Sequence, residues 1–457
     1  MSYFKVLRTW AAIGTAKAIK RLLMALGRKG TTLPGAIALR ICPDLLRYYG
    51  KKLEGRVVFV TGTNGKTTTS NILTYLLKKN GNKVISNALG ANLIEGITTA
   101  FIEGFAASNN NQLAVIEVDE ATLCKVIDHI PPKVVVVTNF FRDQLDRYGE
   151  LEAVVDMVER ALKRTPPYTI VVVNADDPLA SSVAPQEKKT IFYGVESTKM
   201  PMNKQEEIRD GKLCRRCGAL LRYQLYYYGQ LGFYECPVCG FRRPTPDVTA
   251  RNVRLQDGGV AFELDGESGF VDTPAFYNVY NVLAAIAAAK VLGVKPMIIA
   301  HEMKRLKIGL GRMERFMVGN EMETWLVLVK NPTGCNQVLK TIIRIDRPIT
   351  LVFILNDRDA DGTDVSWIWD VHLEQLKEQK NIKRIIAAGT RAYDIAVRLK
   401  YADLKDVTMI REGDVSAVEV ALSELTVGHT LVILSTYTSL YAVRDYLLKK
   451  GGVYVET

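Results

Sequence analysis

Val57-Val58-Phe59-Val60-Thr61-Gly62-Thr63-Asn64-Gly65-Lys66-Thr67-Thr68 is the stretch that decides the fold. An apolar, mostly β-branched run leads into a loop with two glycines, and a helical pattern follows. That order suits a phosphate. Gly62 and Gly65 can take backbone angles that turn amide N–H groups inward, and the new helix adds its positive N-terminal end. Lys66 would then neutralise β- and γ-phosphate charge, and Thr67 would ligate Mg²⁺ through its hydroxyl. The loop is a variant: G-x-x-x-x-G-K-[ST] requires Gly at position 60, and this chain has Val60.

Outward from the loop, apolar runs recur at Ala114–Val118, Lys133–Thr138 and Thr169–Val173, with helical stretches between them. Near-continuous apolar strands alternating with helices predict a parallel sheet covered on both faces. A Mg²⁺ on phosphates usually gains a carboxylate from a neighbouring strand end. Glu117 and Asp119 close the run Leu113–Val118, with Glu120 just beyond. Glu117 is the expected magnesium ligand, although acids at strand ends also serve as helix caps.

The alternation stops near residue 200. Cys214-x2-Cys217 and Cys236-x2-Cys239 follow, separated by eighteen residues. This spacing predicts a closed four-thiolate structural zinc site in a ribbon inserted at 209–243. The Tyr and Arg residues around it offer stacking and charge for a nucleic acid, but a small zinc module also needs aromatics for packing. Residues 247–271 read as short strands and Asn278–Leu292 as an Ala-rich helix. From about residue 314 strand–helix alternation resumes, with strands at Leu326–Val329, Thr350–Leu355, Arg384–Ala388 and Thr430–Leu434, and a loop around Pro332 and Gly334. The expected organisation is a basic helical segment (1–52), a central nucleotide-binding α/β domain (53–313) and a C-terminal Rossmann-like α/β domain (314–457).

Composition limits the function. Of 457 residues, 24% are charged and 48% hydrophobic, which excludes a disordered or collagen-like chain. No apolar run approaches the roughly 18 residues of a spanning helix. Of the net charge of +11, residues 1–52 carry +10 and residues 209–243 carry +5, leaving a mildly acidic body at −4. Basic appendages attract anionic surfaces. Seven Cys, four of them in one cluster, do not make a disulfide scaffold. The chain reads as cytosolic, with its basic first helix packed on the domain and able to face the inner surface of a membrane.

Taken together, these segments resemble the Mur ligases, the peptidoglycan stem-peptide synthetases. Gly62-Thr63-Asn64-Gly65-Lys66-Thr67-Thr68 is similar to their ATP loop, so Gly62, Thr63, Asn64, Gly65, Lys66, Thr67 and Thr68 are the implied ATP contacts. Asn139-Phe140-Phe141-Arg142-Asp143-Gln144-Leu145-Asp146-Arg147 resembles their N-x(3)-D-H-x-D-R segment, and Asn174-Ala175-Asp176-Asp177-Pro178 their N-x-D-D-P segment. Asn278-Val279-Tyr280-Asn281 resembles H-N-x-x-N, which makes Asn281 the implied adenine contact. Gly311-Arg312-Met313-Glu314 resembles the domain-border motif, which makes Arg312 the implied phosphate contact. Two departures matter. Gln144 stands where the family has a metal-binding His, and Lys330-Asn331-Pro332 replaces an Asp-rich start of the amino-acid-binding domain.

One branch of the family accounts for both departures and for the zinc insert: the synthetase subunits of lipid II isoglutaminyl synthases. Leu355-Asn356-Asp357 and Asp361-Gly362-x-Asp364-x-Ser366-Trp367-Ile368 are similar to its C-terminal segment. The resemblance implies ATP, Mg²⁺ and structural Zn²⁺ as cofactors and a GatD-like glutamine amidotransferase subunit as partner in a heterodimer. It implies lipid II as substrate and amidation through an acyl phosphate as chemistry. Lys66, Glu117 and Asp364 are the implied catalytic groups, with Asp364 completing the partner's Cys-His-Asp triad. Two other functions compete. A Mur or folylpolyglutamate-type ligase would take an amino acid in place of ammonia. A zinc-containing nucleic-acid-binding ATPase would show salt-sensitive binding, which the acidic body disfavours.

Overall fold

The structure, a computed structural model, describes residues 3–28, 30–87, 90–106, 111–143, 150–200, 210–256, 258–306, 313–319, 322–404, 407–409, 413–426 and 428–454. Contacts divide the chain into two units, one of residues 1–141, 151–271 and 277–307, the other of 142–150, 272–276 and 308–457.

The first unit begins with three helices, α1 (Tyr3–Ala25), α2 (Leu33–Ile41) and α3 (Leu45–Lys52). The quoted stretch follows as β1 (Val57–Thr61), the glycine loop and α4 (Lys66–Lys79). Then come β2 (Lys83–Ser86), α5 (Ile94–Gly104), β3 (Gln112–Glu117), α6 (Glu120–Val126), β4 (Val134–Val137), α7 (Leu151–Arg164), β5 (Ile170–Asn174), α8 (Pro178–Ser182) and β6 (Thr190–Val195). A hairpin of β7 (Arg222–Tyr228) and β8 (Leu231–Glu235) precedes β9 (Val248–Gln256), β10 (Gly259–Leu264) and β11 (Glu267–Val271). Helices α9 (Tyr277–Val291) and α10 (Pro296–Glu302) complete the unit.

The sheet order is β2-β3-β1-β4-β5-β6-β9-β10-β11. Strands β2 to β9 run parallel, and β10 and β11 extend them antiparallel. All residues of β1 and β4 are buried, as expected of strands covered on both faces. Each Val so buried contributes about 1.5–3 kcal/mol of hydrophobic stabilisation. Alternate residues divide the work. Val57, Phe59, Ala114, Ile116, Val135 and Val137 join one core with residues of α1, α2, α3 and α5 to α8. Helix α9 packs on α4, β5 and β6, and its alanines at 284, 285, 287, 288 and 289 are fully buried. Side chains this small allow close approach on more than one side, which explains the Ala-rich pattern.

After β1 the chain places β2 and β3 on one side, then β4, β5 and β6 on the other. The switch of direction falls beside β1, and in such sheets ligands bind at the carboxyl ends of the strands at that point. The register makes the position specific: Val60 is level with Glu117 of β3, and Thr61 with Val137 of β4.

The second unit contains β12 (Glu314–Val318), β13 (Met322–Leu328), α11 (Pro332–Ile342), β14 (Ile349–Ile354), β15 (Ile382–Ala388), α12 (Ala392–Tyr401), β16 (Val407–Met409), α13 (Asp414–Ser423), β17 (Thr430–Ser435), α14 (Tyr437–Lys449) and β18 (Val453–Tyr454). Its sheet order is β16-β15-β14-β17-β13-β12-β18, parallel from β16 to β13 and antiparallel beyond. The expected loop around Pro332 and Gly334 is instead the first turn of α11. Asn331 caps it, its side chain accepting from the Gly334 N–H at 2.8 Å. Pro332 occupies the first helical turn, where its missing N–H costs nothing.

Candidate active site

Both loop glycines adopt backbone conformations that other residues avoid, φ +114° at Gly62 and +87° at Gly65. A Cβ on Gly62 would lie 2.4 Å from the Thr138 hydroxyl, and one on Gly65 would lie 2.0 Å from Asn281 Oδ1. Asn281 is therefore the wall behind Gly65, and its Nδ2 donates to Asn278 Oδ1 at 2.9 Å. Gly65→Ala should combine strain with that clash and weaken nucleotide binding by at least about tenfold, roughly 1.4 kcal/mol. Equilibrium titration with a fluorescent ATP analogue reads the change; unchanged affinity would disconnect this loop from the nucleotide.

The loop is also held from the segment that follows β4. Asn139 accepts from the Asn64 N–H at 2.9 Å and donates from Nδ2 to the Asn64 carbonyl at 3.1 Å. The Thr63 N–H reaches the Asn139 carbonyl at 2.8 Å. The Thr63 hydroxyl accepts from the Phe141 N–H at 3.0 Å and donates to its carbonyl at 3.1 Å. Together these hydrogen bonds hold Thr63 and Asn64 to Asn139 and Phe141.

Lys66 is buried, with Nζ 2.5 Å from the Gly62 carbonyl and 3.2 Å from Glu120 Oε1. Thr67 donates its hydroxyl to Glu117 Oε2 at 2.6 Å. Asn92 Nδ2 holds the other carboxylate oxygen at 3.1 Å, and Asn87 pairs with the Glu117 backbone in both directions at 2.8 Å. The acids after β3 thus divide their roles. Glu117 meets Thr67, Asp119 caps α6 by accepting from Ala121 and Thr122, and Glu120 pairs with Lys66. Two oxygen donors this close suit a hard cation such as Mg²⁺.

Glu120, Asn139, Asn87 and Asn92 were not assigned roles by sequence reasoning. Asn139 opens a segment recognised for other residues, and Glu120 stands in the first turn of α6, where an acid is ordinary helix chemistry. Gln144 and Arg312 lie outside the described residues.

The four cysteines form a cluster of their own. Their sulfurs all lie within 4.8 Å of one another, with Cys214–Cys239 and Cys217–Cys236 at 3.5 Å. A zinc tetrahedron with bonds of about 2.3 Å has edges of about 3.8 Å, so the donor set fits a closed tetrathiolate site. The Cys239 and Val238 amides favour the thiolate of Cys236 and bring it down to about 6. Cys214, Leu221, Tyr234, Cys236 and Phe241 make a small core around the cluster.

The cysteine segment is tied to the sheet by buried polar contacts. Arg243 Nε donates to Asp176 Oδ1 at 2.6 Å, and the Tyr280 hydroxyl to Asp176 Oδ2 at 2.7 Å. Gln230, in the β7–β8 turn, donates to the Phe140 carbonyl, while the Phe140 N–H reaches Asp177 Oδ2 at 2.8 Å. Burial raises Asp177 to about 7 against the pull of these amide donors. Phe140 adjoins the loop clamp Asn139, and Tyr280 adjoins Asn281. Gln230→Ala would leave the Phe140 carbonyl without this partner, a loss of about 1–3 kcal/mol. The expected result is a higher KM for ATP, read from steady-state turnover; an unchanged KM would separate the hairpin from the loop.

Asp364 belongs to the second unit. It lies in the segment after β14, half-buried, with Oδ1 accepting from the Ser366 N–H at 2.8 Å. The same segment is anchored by Asp361, which accepts from the Thr438 N–H at 2.7 Å and its hydroxyl at 2.5 Å. Asn356 accepts from the Thr390 N–H at 2.8 Å and donates to Asp414 at 3.1 Å. In this unit Lys330 forms an ion pair with Asp143.

Residues 60–218 match the Mur ligase middle domain, and residues 328–440 match the MurT ligase C-terminal domain. The chain is 35% identical over 450 residues to the lipid II isoglutaminyl synthase (glutamine-hydrolyzing) subunit MurT of Streptococcus pneumoniae, covering 97% of this chain and 98% of that one. The corresponding subunit of Staphylococcus aureus (strain COL) is 34% identical over 448 residues, covering 98% of this chain and 100% of that one. Among solved structures, a pseudomurein peptide ligase type C from Methanothermus fervidus superposes with a TM-score of 0.69 at 24% identity, covering 89% of this chain and 80% of that one. MurF ligase from Thermotoga maritima in complex with ADP gives 0.60 at 17%, covering 90% and 84%. At these identities the structural likeness carries the fold alone.

Proposed function

The chain belongs to the MurT subunits of lipid II isoglutaminyl synthase, Mur ligase-like enzymes of peptidoglycan synthesis, and on that premise we propose that it activates a lipid II stem-peptide carboxylate with ATP for amidation. The carboxylate is the α-carboxylate of D-isoglutamate. It resists nucleophiles because it is anionic and lacks a good leaving group. Transfer of the γ-phosphoryl group to its oxygen gives an acyl phosphate and ADP. Ammonia then attacks the acyl carbon, inorganic phosphate leaves, and loss of a proton gives the D-isoglutamine amide.

The observation that supports this reading is the glycine loop with Lys66 buried at its centre and Thr67 and Glu117 in contact at its edge. Gly62, Thr63, Asn64, Gly65, Lys66, Thr67 and Thr68 hold the ATP phosphates in this account, and Lys66 stabilises charge in transfer. Thr67 and Glu117 hold Mg²⁺, which neutralises phosphate charge when bound. Asn281 serves the adenine side and Arg312 the phosphates. The domains are 1–52, 53–313 with a zinc ribbon at 209–243, and a Rossmann-like 314–457.

The name of the relatives specifies glutamine hydrolysis and a subunit, so ammonia comes from a glutamine amidotransferase partner in this reading. Asp364 orients the partner's imidazole as the third member of its triad. Lipid II is membrane-borne, which places the work at the inner face of the cell membrane. No described helix is long and apolar enough to cross a membrane.

The ribbon's Zn²⁺ ties together the segment that holds Gln230 and Arg243. Elemental analysis of the purified chain is expected to give about one zinc per molecule, with Cys214→Ser lowering both metal content and thermal stability. A metal-free chain with unchanged melting would remove zinc from the account. The function itself is tested by incubating the chain with ATP, Mg²⁺, ammonium and a lipid II-type substrate. ADP release and amide formation in equal amounts support it; ADP release without amide does not.

A further inference from the structure

Helix α1 packs on one side only. Thr9, Ala12, Ile13 and Ala16 are buried against the domain, where α1 contacts α2 and α5. At about 100° per residue, Val6, Leu7, Trp10, Lys17, Arg21 and Met24 occupy an adjacent arc of about 100°. That arc is open: Trp10 is 63% exposed, Met24 62% and Leu7 54%. A helix meant only to pack would carry its large apolar residues on the buried side. Here Ile13 is the one large apolar side chain among the four buried ones, whereas Leu7, Trp10 and Met24 stand on the open side.

The charges on the open arc identify what covers it. Lys17 and Arg21 make no ion pair or hydrogen bond among the described residues, whereas Lys20, nearer the domain, pairs with Glu103 at 2.8 Å. Lys is depleted from the cores of protein–protein interfaces. Bases interleaved with exposed Trp and Leu instead suit an anionic bilayer, where apolar side chains enter the headgroup boundary and cations meet lipid phosphates. Residues 1–52 carry +10 in all, which adds a general attraction to anionic surfaces.

We propose that the open arc of α1 lies on an anionic lipid surface, with Leu7 and Trp10 inserted and Lys17 and Arg21 on the headgroups. This deepens the membrane-borne substrate reading, yet the docking needs no lipid II. It would hold the enzyme in the plane where its substrate diffuses.

Flotation of the full chain with vesicles tests it. Vesicles of phosphatidylcholine with 30% phosphatidylglycerol are compared with pure phosphatidylcholine, at low and high salt. The chain is expected to float with the anionic vesicles and, at high salt, to be largely released. Leu7→Glu with Trp10→Glu should lower partitioning at least tenfold, and so should Lys17→Glu with Arg21→Glu. All four positions are exposed, and unchanged circular dichroism would show that the helix persists. Equal partitioning of wild type and both variants, or no partitioning at all, overturns the proposal. So does loss of vesicle binding when an amidotransferase partner is added, because the partner would then cover this face. Amidation of a water-soluble stem-peptide substrate should be unchanged in the same variants. If that reaction fails in the wild type while flotation holds, the functional reading falls and the docking surface stands.

Discussion

Lys66→Ala lowers ATP-dependent turnover by at least about 10²–10³-fold, the loss typical of removing one pre-organised charge stabiliser. The structure makes the interpretation of this variant more demanding than usual. Lys66 Nζ is 3.2 Å from Glu120 Oε1, and both side chains are buried. Removing Lys66 alone takes from the buried Glu120 carboxylate the cation it pairs with, and breaking a buried pair from one side costs about 3–5 kcal/mol of stability. Loss of activity could then reflect unfolding. The double variant Lys66→Ala with Glu120→Gln removes that charge and should recover most of the stability. Turnover should stay lost. Recovery of both together would make Lys66 a structural ion-pair partner only, while stability without turnover assigns it to phosphate.

Asp364→Asn is expected to split the two ammonia sources. The side-chain oxygen that accepts from the Ser366 N–H at 2.8 Å is retained in Asn, so the local turn should hold. The carboxylate charge is lost. Replacing the Asp of a catalytic triad by Asn costs about 10⁴-fold in the serine-protease case. Glutamine-dependent amidation in the complex should therefore fall by a factor on the order of 10³–10⁴, while activity with added ammonium stays within about twofold. Asp361→Asn provides the contrast. Asp361 meets the Thr438 N–H and hydroxyl and so anchors the segment. Its loss should disturb stability as well as transfer. Equal losses with both ammonia sources at Asp364 would exclude a role in the partner's triad.

The phosphate loop was legible because its requirements are local. A buried strand, two glycines at positive φ and a helix start all fall within residues 57–68. The parallel sheet was legible for the same reason: runs such as Val134–Val137 are apolar on both faces. Glu117 could be chosen because it ends a strand, and the register then brought it beside Thr67. Glu120 and Asn139 could not be assigned, since each acts on the loop from a neighbouring element and its role depends on register and crossover. Pro332 and Gly334 were misread because Gly and Pro punctuate loops and helix starts alike. Asn331 beside Pro332 was the discriminating signal, an N-cap followed by a residue suited to the first turn. In α1 helical spacing was visible, but only the packing shows that Ala12, Ile13 and Ala16 face the domain while Leu7 and Trp10 do not.

Activation of a stem-peptide carboxylate for ammonia is read out by mass spectrometry of a lipid II-type substrate. The substrate is incubated with the chain, ATP, Mg²⁺ and ammonium, and separately with glutamine plus a candidate amidotransferase subunit. The expected result is the small mass decrease of OH→NH₂ on the stem peptide with ammonium, and with glutamine only when the partner is present. No change with ammonium, together with a mass gain when a free amino acid is supplied, would contradict it and assign the chain to the ligases that extend the peptide.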